Sequence, residues 1–381
     1  MKWEKVAIKS VCKGIYDGPH ATPPVSDTGA IFLGISNFSN GRLDLSDIRF
    51  ISENDLPRWT KRVTPQASDI VFSYEATLNL YAVIPDGFRG CLGRRMALIR
   101  VDEKKVYYKF LYYYFYSDAW RVVIQENTVL GATVDRIPLV KFPDFLIDLP
   151  PLVTQHRIAD ILSAYDKLIE NNQKQIKLLE EASQCLYKEW FVDLRFPGYE
   201  DVKIVDGVPE GWKKVGLAKI APIVTGKKDA NFGIDSGKYL FFTCAQEPIK
   251  APSYSFDCSA VILAGNGDFN VKLYRGQFEA YQRTYVFSPY NSDNLYLLYY
   301  AVKDSMRQLF QGASGSTIKF LTKRMLEEIR VFVPDEDILI RFNQNCESFQ
   351  KKIEVLKLEI SLAQEACHRL LPKLMSGEIE V

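Results

Sequence analysis

Residues 155–191 read "QHRIADILSAYDKLIENNQKQIKLLEEASQCLYKEWF", and residues 339–375 read "LIRFNQNCESFQKKIEVLKLEISLAQEACHRLLPKLM". Aligned at an offset of 184, the two stretches carry one pattern. In the first, Leu162, Ile169, Ile176, Ser183 and Trp190 fall seven apart, and Tyr165, Asn172, Leu179 and Leu186 fill the second seam position. In the second, Cys346, Ile353, Ile360, Cys367 and Leu374 take the first slots, with Phe349, Leu356, Ala363 and Leu370 in the others. A sustained heptad with Lys, Glu and Gln elsewhere is a coiled-coil helix. Two unrelated amphipathic helices would explain each stretch alone, but not their agreement position by position. The two helices are therefore expected to pack on each other through Leu162, Ile169, Ile176, Leu179, Leu186, Phe349, Ile353, Leu356, Ile360 and Leu370. Asn172, opposite an apolar series, would fix the register. Pro150-Pro151 and Pro334 are start signals, and Pro197 and Pro372 are stop signals. On that reading Leu374 lies beyond the regular second helix. From Leu162 to Leu186 such a rod is roughly 36 Å long, on the order of one turn of B-DNA.

The blocks before the helices correspond as well. "KWEKV" (2–6) matches "GWKKV" (211–215), and a glycine turn follows each, at Gly18 and Gly226. "FLYYYF" (110–115) matches "LLYYAV" (297–302), and "GATVDRIPL" (131–139) matches "GASGSTIKFL" (312–321). Trp3 to Pro150 is 147 residues and Trp212 to Pro334 is 122, so the first block is 25 longer. Within the blocks, β-rich runs such as "DIVFSY" (69–74), "SAVILAG" (259–265) and "QRTYVFS" (282–288) alternate with Gly, Asn and Asp turns. One helix, 105–116 or 294–304, follows in each. The predicted order is a domain (1–150), a central spacer helix (151–195), a second domain (196–334) and a C-terminal spacer helix (335–381). The fold class is α+β: two β-rich domains and an antiparallel pair of long coiled-coil helices, related by an internal pseudo-twofold repeat.

At 381 residues, 47% apolar and 25% charged, the composition is that of an ordinary globular protein. Charges interrupt every apolar stretch before membrane-spanning length, and Met1 is followed by Lys2, Glu4 and Lys5. Neither a signal peptide nor a membrane partner is expected. Seven cysteines include no C-x-x-C pair, and only Cys367 has a histidine neighbour, His368. That spacing excludes the usual zinc sites, so no metal is expected, and scattered thiols suit a reducing cytoplasm. Residues 1–150 hold 19 basic and 17 acidic groups, and 196–334 hold 17 and 14. The helical segments are acidic, with 6 basic against 7 and 6 against 9. The weak positive bias of both domains suits a nucleic-acid face and a solvated surface equally.

"YDGPHATPP" (16–24), "LYKEWFVDLRFPGYE" (186–200) and "LLPKLMSGEIEV" (370–381), together with the repeat order, resemble the specificity (S) subunit of type I restriction-modification systems. The resemblance covers essentially the whole chain. It implies two target recognition domains, each reading half of a split double-stranded DNA site, and long helices that set the spacing. The implied partners are two methyltransferase (M) subunits, docked on those helices, and the restriction (R) motor-nuclease subunits. It implies a non-catalytic chain without cofactors. "VTGKKDANFG" stands in the second domain where the first has "YDGPHATPP", so the half-sites are expected to differ. A coiled-coil scaffold joining two protein-binding domains, with no DNA affinity, is the alternative.

The chain has three histidines, His20, His156 and His368. Catalysis by His20 would need a nucleophile and an orienting partner, and no G-x-S-x-G or comparable element is present. No Asn/Asp-Pro-Pro-Tyr/Phe string and no F-x-G-x-G appears, so a self-contained methyltransferase is not supported. The loop then reads either as an Asp-Gly turn stiffened by Pro19, Pro23 and Pro24, or as a rigid DNA contact offering His20 and Thr22. Lys227, Lys228 and Asn231 are the matching candidates of the second domain. Further DNA-contact candidates are Arg94 and Arg95, Lys272 and Arg275, and the glycine-loop pairs Thr133/Arg136 and Ser316/Lys319. Arginine forks suit guanine and lysines suit phosphate, although a surface ion pair would explain any one of them. "AGNGDFN" (264–270) lacks the Lys-Ser/Thr of a phosphate loop and reads as a turn. "VYYKFLYYYFY" (106–116) reads as core at helical spacing rather than a base-stacking platform.

Overall fold

Prolines set the joints of this fold. In the computed structural model, which describes residues 3–131, 134–267, 269–313 and 319–381, the strand Leu146–Leu149 ends at Pro150 and Arg330–Val333 ends at Pro334. Each pairs antiparallel with a strand near the start of its block, Glu4–Ala7 or Lys213–Gly216, and each leads into a long helix. The helices that frame the blocks are α1 (Tyr108–Tyr114), α2 (Asp118–Asn127), α3 (Leu152–Tyr187), α4 (Leu295–Gly312) and α5 (Glu336–Ser376). Asp335 caps α5: one carboxylate oxygen accepts from the Ile338 N–H at 3.0 Å and the other from the Trp212 indole at 3.3 Å. Buried Gln155 ties down the start of α3, accepting from the Tyr107 N–H and donating to the Pro150 carbonyl, both at 2.8 Å.

The heptad positions of α3 and α5 face inward. Leu162, Asn172, Ser183, Cys346, Ile353, Leu356 and Ala363 are buried, and Ile169, Ile176, Leu179, Leu186, Phe349, Ile360 and Leu370 are half-buried. Off the seam, Leu178, Leu358 and Leu362 are exposed. α3 continues through a π turn, Lys188–Val192, that brings Trp190 and Phe191 into the core. Pro372 does not stop α5, contrary to expectation. The helix runs on to Ser376 and buries Leu374 and Met375. Two such side chains, each worth about 1.5–3 kcal/mol, offset the ~3 kcal/mol cost of an interior proline.

The chain folds as two units, Met1–Asn171 with Glu359–Val381, and Asn172–Leu358. The core of the first gathers Ile8, Phe72, Phe110, Trp120 and Phe142 with Leu162 of α3 and Leu374 and Met375 of α5. The core of the second gathers Trp212, Val261, Phe287 and Leu297 with Tyr187 at the end of α3 and Phe342 and Cys346 near the start of α5. In each unit opposite ends of α3 and α5 meet, so the helices run antiparallel.

The internal repeat extends to the sheets. In the first unit Cys12–Asp17, Met96–Val101, Ile70–Ser73 and Tyr81–Val83 form an antiparallel sheet in that order. In the second, Val224–Thr225, Thr284–Phe287, Phe256–Ala264 and Val271–Ala280 follow the same order and sense. Registers correspond: Ala97 faces Asp17 and Phe72, as Tyr285 faces Thr225 and Leu263. The second sheet continues through Tyr239–Phe242, parallel to Val271–Ala280, and then Ile249–Ala251. The first unit holds the same trio as a separate sheet, Gly90–Cys91, Ala30–Phe32 and Arg49–Ile51, again with one parallel pair. The long strand of the second unit is thus two short strands in the first, parted by a turn at Pro85-Asp86-Gly87 with Gly87 at φ 74.

The single helices expected at 105–116 and 294–304 need correction. The first starts at Tyr108, breaks at Ser117, whose hydroxyl accepts from the Trp120 N–H at 3.3 Å, and resumes as α2. The second runs unbroken for 18 residues to Gly312. The tyrosine-rich run is core: Phe110, Leu111, Tyr114 and Phe115 are buried, and the hydroxyls of Tyr112, Tyr113 and Tyr116 have partners. Tyr112 donates to the Gly41 carbonyl at 2.7 Å, Tyr113 to Asp166 at 2.6 Å and Tyr116 to the Tyr81 carbonyl at 2.6 Å. Burial pushes the Tyr116 phenol up to about 12. Among the described residues no helix is long and apolar enough to cross a membrane.

Candidate nucleic-acid interface

The first strand of each sheet is followed by a glycine that the fold requires. The Gly18 N–H donates to the Met96 carbonyl at 2.9 Å, and a Cβ there would stand 2.5 Å from the Gly93 carbonyl oxygen. The Gly226 N–H donates to the Thr284 carbonyl at 3.1 Å, and a Cβ there would meet the Ala280 carbonyl oxygen at 1.9 Å. No side chain fits such an approach of two backbones. The loops after Gly18 and Gly226 are therefore held against the start of the neighbouring strand.

In the first unit the loop is braced by charge. His20 Nε2 lies 2.8 Å from Asp17 Oδ2, and Arg62 reaches the same oxygen at 3.2 Å and the Gly18 carbonyl at 2.8 Å. His20 is thus satisfied locally, yet its side chain remains 63% exposed. Thr22 is exposed on the same loop. Arg94 and Arg95 form the turn before the adjacent strand: Arg94 is exposed, its carbonyl accepting from the Tyr74 hydroxyl at 3.3 Å, and Arg95 pairs with Glu75 at 3.5 Å. Ile137 N–H donates to the Tyr74 carbonyl at 2.7 Å, which brings exposed Arg136 to the same end of the sheet. Thr133 lies outside the described residues. His156 stacks on Tyr107 with ring centroids 4.0 Å apart, and His368 lines a hollow with Tyr112, Tyr113 and Asp166.

The second unit repeats the arrangement with other residues. Lys227 is exposed, and the Lys228 ammonium sits 4.5 Å over the Phe232 ring. Asp229 accepts from Gln282 at 2.7 Å, bracing the loop, and Asn231 is exposed in the turn Ala230–Phe232. Lys319 lies 4.1 Å over Phe310, and Leu321 N–H donates to the Gly265 carbonyl at 2.8 Å, the counterpart of the Ile137 bond. Ser316 lies outside the described residues.

Lys272 and Arg275 are also held by partners inside the protein. Lys272 donates to the Ala245 carbonyl at 2.9 Å and to Asn270. Arg275 grips Glu347 of α5 with Nη2 at 3.0 Å and Nη1 at 3.4 Å, while the Tyr296 hydroxyl joins both groups. These donors hold the Glu347 carboxyl below the usual carboxylate range. Arg42 makes the corresponding tie in the first unit, to Glu170 and the Asp166 carbonyl of α3, both at 3.0 Å.

Some residues at these sheet ends escaped the sequence reading. Arg283 is exposed, and its carbonyl accepts from the Gly265 N–H at 2.8 Å just as Arg95 accepts from the Tyr74 N–H at 3.2 Å. The strand register makes the two arginines counterparts. Arg58, Trp59, Lys61 and Arg62 face the His20 loop across a hollow of about 360 Å³. The string "PRWTKR" (57–62), three cations around a tryptophan in the longer block, was the available signal.

Two like β domains on one antiparallel helix pair, each ending in a cationic loop cluster, define an internally duplicated α+β class. The chain belongs to the type I restriction modification DNA specificity domain family, whose model matches residues 1–181 and 209–357. It is 34% identical over 176 residues to the type I restriction enzyme EcoDI specificity subunit of Escherichia coli, covering 45% of this chain and 39% of that one. It is 23% identical to the putative type I restriction enzyme MjaX specificity subunit of Methanocaldococcus jannaschii, across 100% of this chain and 94% of the other. The crystal structure of the type I restriction-modification S subunit from M. genitalium superposes with a TM-score of 0.61 at 16% identity, over 98% and 96% of the two chains.

Proposed function

We propose that this chain is the non-catalytic DNA-specificity subunit of a cytoplasmic type I restriction-modification complex. It reads a bipartite, asymmetric double-stranded site, one half through each β domain, and positions two methyltransferase subunits and the motor-nuclease subunits on it. α3 and α5 serve as the spacer and as the docking surface for the methyltransferases. The carrying observation is that independent candidates, His20, Arg94, Arg95 and Arg136 in one unit and Lys227, Lys228 and Lys319 in the other, fall at equivalent sheet ends, where the register adds Arg283. Exposed cations supply sequence-independent attraction to phosphate, while His20, Thr22, Asn231 and the arginine forks can address base edges. Internal partners give Lys272 and Arg275 a bracing role in this scheme.

The hollow beside His20 is lined by Asp17, Pro19 and the cations Arg58, Lys61 and Arg62. The test is DNA affinity of the chain assembled with its methyltransferase subunits, measured against salt. Phosphate contact predicts a steep linear fall of log K with log salt. A flat response would instead favour a scaffold joining protein-binding domains, and methylation or cleavage by the isolated chain would favour an enzyme.

A further inference from the structure

The register of the two sheets shows where the first unit carries extra chain. Ile51 and Ala251 occupy matching strand positions, as do Ile70 and Val261. Between them the first unit has residues 52–69 and the second only 252–260. The longer segment contains Arg58, Lys61 and Arg62, whereas the shorter contains no lysine or arginine. The insertion folds back on the His20 loop and encloses the hollow, lined also by Trp59, Val63 and Leu92.

The charge there is one-sided. Asp17 is the one acid in the described lining; its Oδ2 already engages His20 and Arg62, and its Oδ1 is buried. Arg58 and Lys61 are exposed and form no ion pair among the described residues. Among the described residues, the charged groups of the hollow left without an ion pair are therefore both donors, Arg58 and Lys61. A base edge shows donors and acceptors side by side, whereas a phosphodiester shows acceptors alone. We propose that this hollow seats a backbone phosphodiester of the bound DNA, with Arg58 and Lys61 as its charge partners and Arg62 holding the loop beside it. The assignment rests on the DNA-reading function proposed above. It makes the grip asymmetric: the first unit gains a phosphate contact for which the second has no counterpart.

The experiment uses the full chain with its methyltransferase subunits and compares wild type with Arg58→Ala/Lys61→Ala. Expected is a salt slope shallower by about 2 and affinity on the order of tenfold weaker, equally on cognate and unrelated DNA. The methylated motif should not change. The charge-conserving Arg58→Lys/Lys61→Arg should keep the wild-type slope. Lys104→Ala/Lys141→Ala, which removes two exposed charges elsewhere in the unit, should keep it too. An unaltered slope in the double alanine variant, or an equal loss in the Lys104/Lys141 control, overturns the phosphate seat. A changed base preference also overturns it and makes the hollow a base reader. A wild-type complex with no salt-dependent affinity would sink the underlying DNA reading instead.

Discussion

Gly18 and Gly226 stand at the same point of the two units, and the loops that follow share nothing in sequence. After Gly18 come three prolines and a histidine held by Asp17, whose carboxylate Arg62 of the insertion also grips. After Gly226 come two lysines, one lying on Phe232, and an aspartate tied to Gln282. Strand order, register and the impossibility of a Cβ at the loop base are held in common. The frame fixes where a loop is presented, and the loop alone fixes what it presents. Such a division lets one architecture read two unlike targets, because changing a loop disturbs no core residue.

The most severe disruption should come from the core of one unit. Phe342 is fully buried against Tyr187, Trp190, Phe191 and Tyr300. Phe342→Ala should cost about 3–5 kcal/mol in urea denaturation. Hydrogen exchange should show the loss first in the sheet of the second unit; equal loss in strands Ile70–Ser73 and Met96–Val101 would break the two-unit description. Next come the helix seams. Ile176→Asp and Ile360→Asp should each cost about 2–3 kcal/mol, while exposed Leu178→Asp and Leu362→Asp stay within about 0.5 kcal/mol. Comparable losses from all four would mean the heptads do not face inward.

The glycines sharpen the comparison. Gly18→Ala and Gly226→Ala should cost about 1–3 kcal/mol each by thermal denaturation. The second should be worse because its Cβ would approach backbone more closely, 1.9 Å against 2.5 Å. The smallest effect concerns the brace on α5. Glu347→Gln should lose about 1 kcal/mol at pH 7, discounted because the carboxylate is one-third exposed. Glu347 titrates below its unfolded value, so its contribution is present at neutral pH and lost as pH falls below the usual carboxylate range through its lowered folded-state value. The variant and wild type should converge there.

Helical periodicity made the long elements legible. Seven-residue spacing at a shared offset identified α3 and α5, and Pro150-Pro151 and Pro334 stand just before their two starts. Pro372 misled because a local rule yields to the burial of Leu374 and Met375 in a core assembled from distant segments. The sheets were not legible as such, since several strands are only two to four residues long and their partners are set by tertiary contact. Arg283 could be matched to Arg95 only through strand register. Arg275 looked like a free fork, but side chains alternate along a strand and this one turns toward α5. The insertion carrying Arg58 to Arg62 was visible as excess length, without a sign of where it folds.

The most direct test of two readers on one frame is a loop exchange followed by mapping of methylated adenines. The chain is assembled with its methyltransferase subunits, with and without "PHATPP" (19–24) replaced by "KKDANF" (227–232). The wild-type assembly should mark a split motif with two unlike halves, and the exchange should alter one half while leaving the other half and the gap unchanged. A continuous motif, or halves that change together, would contradict the account.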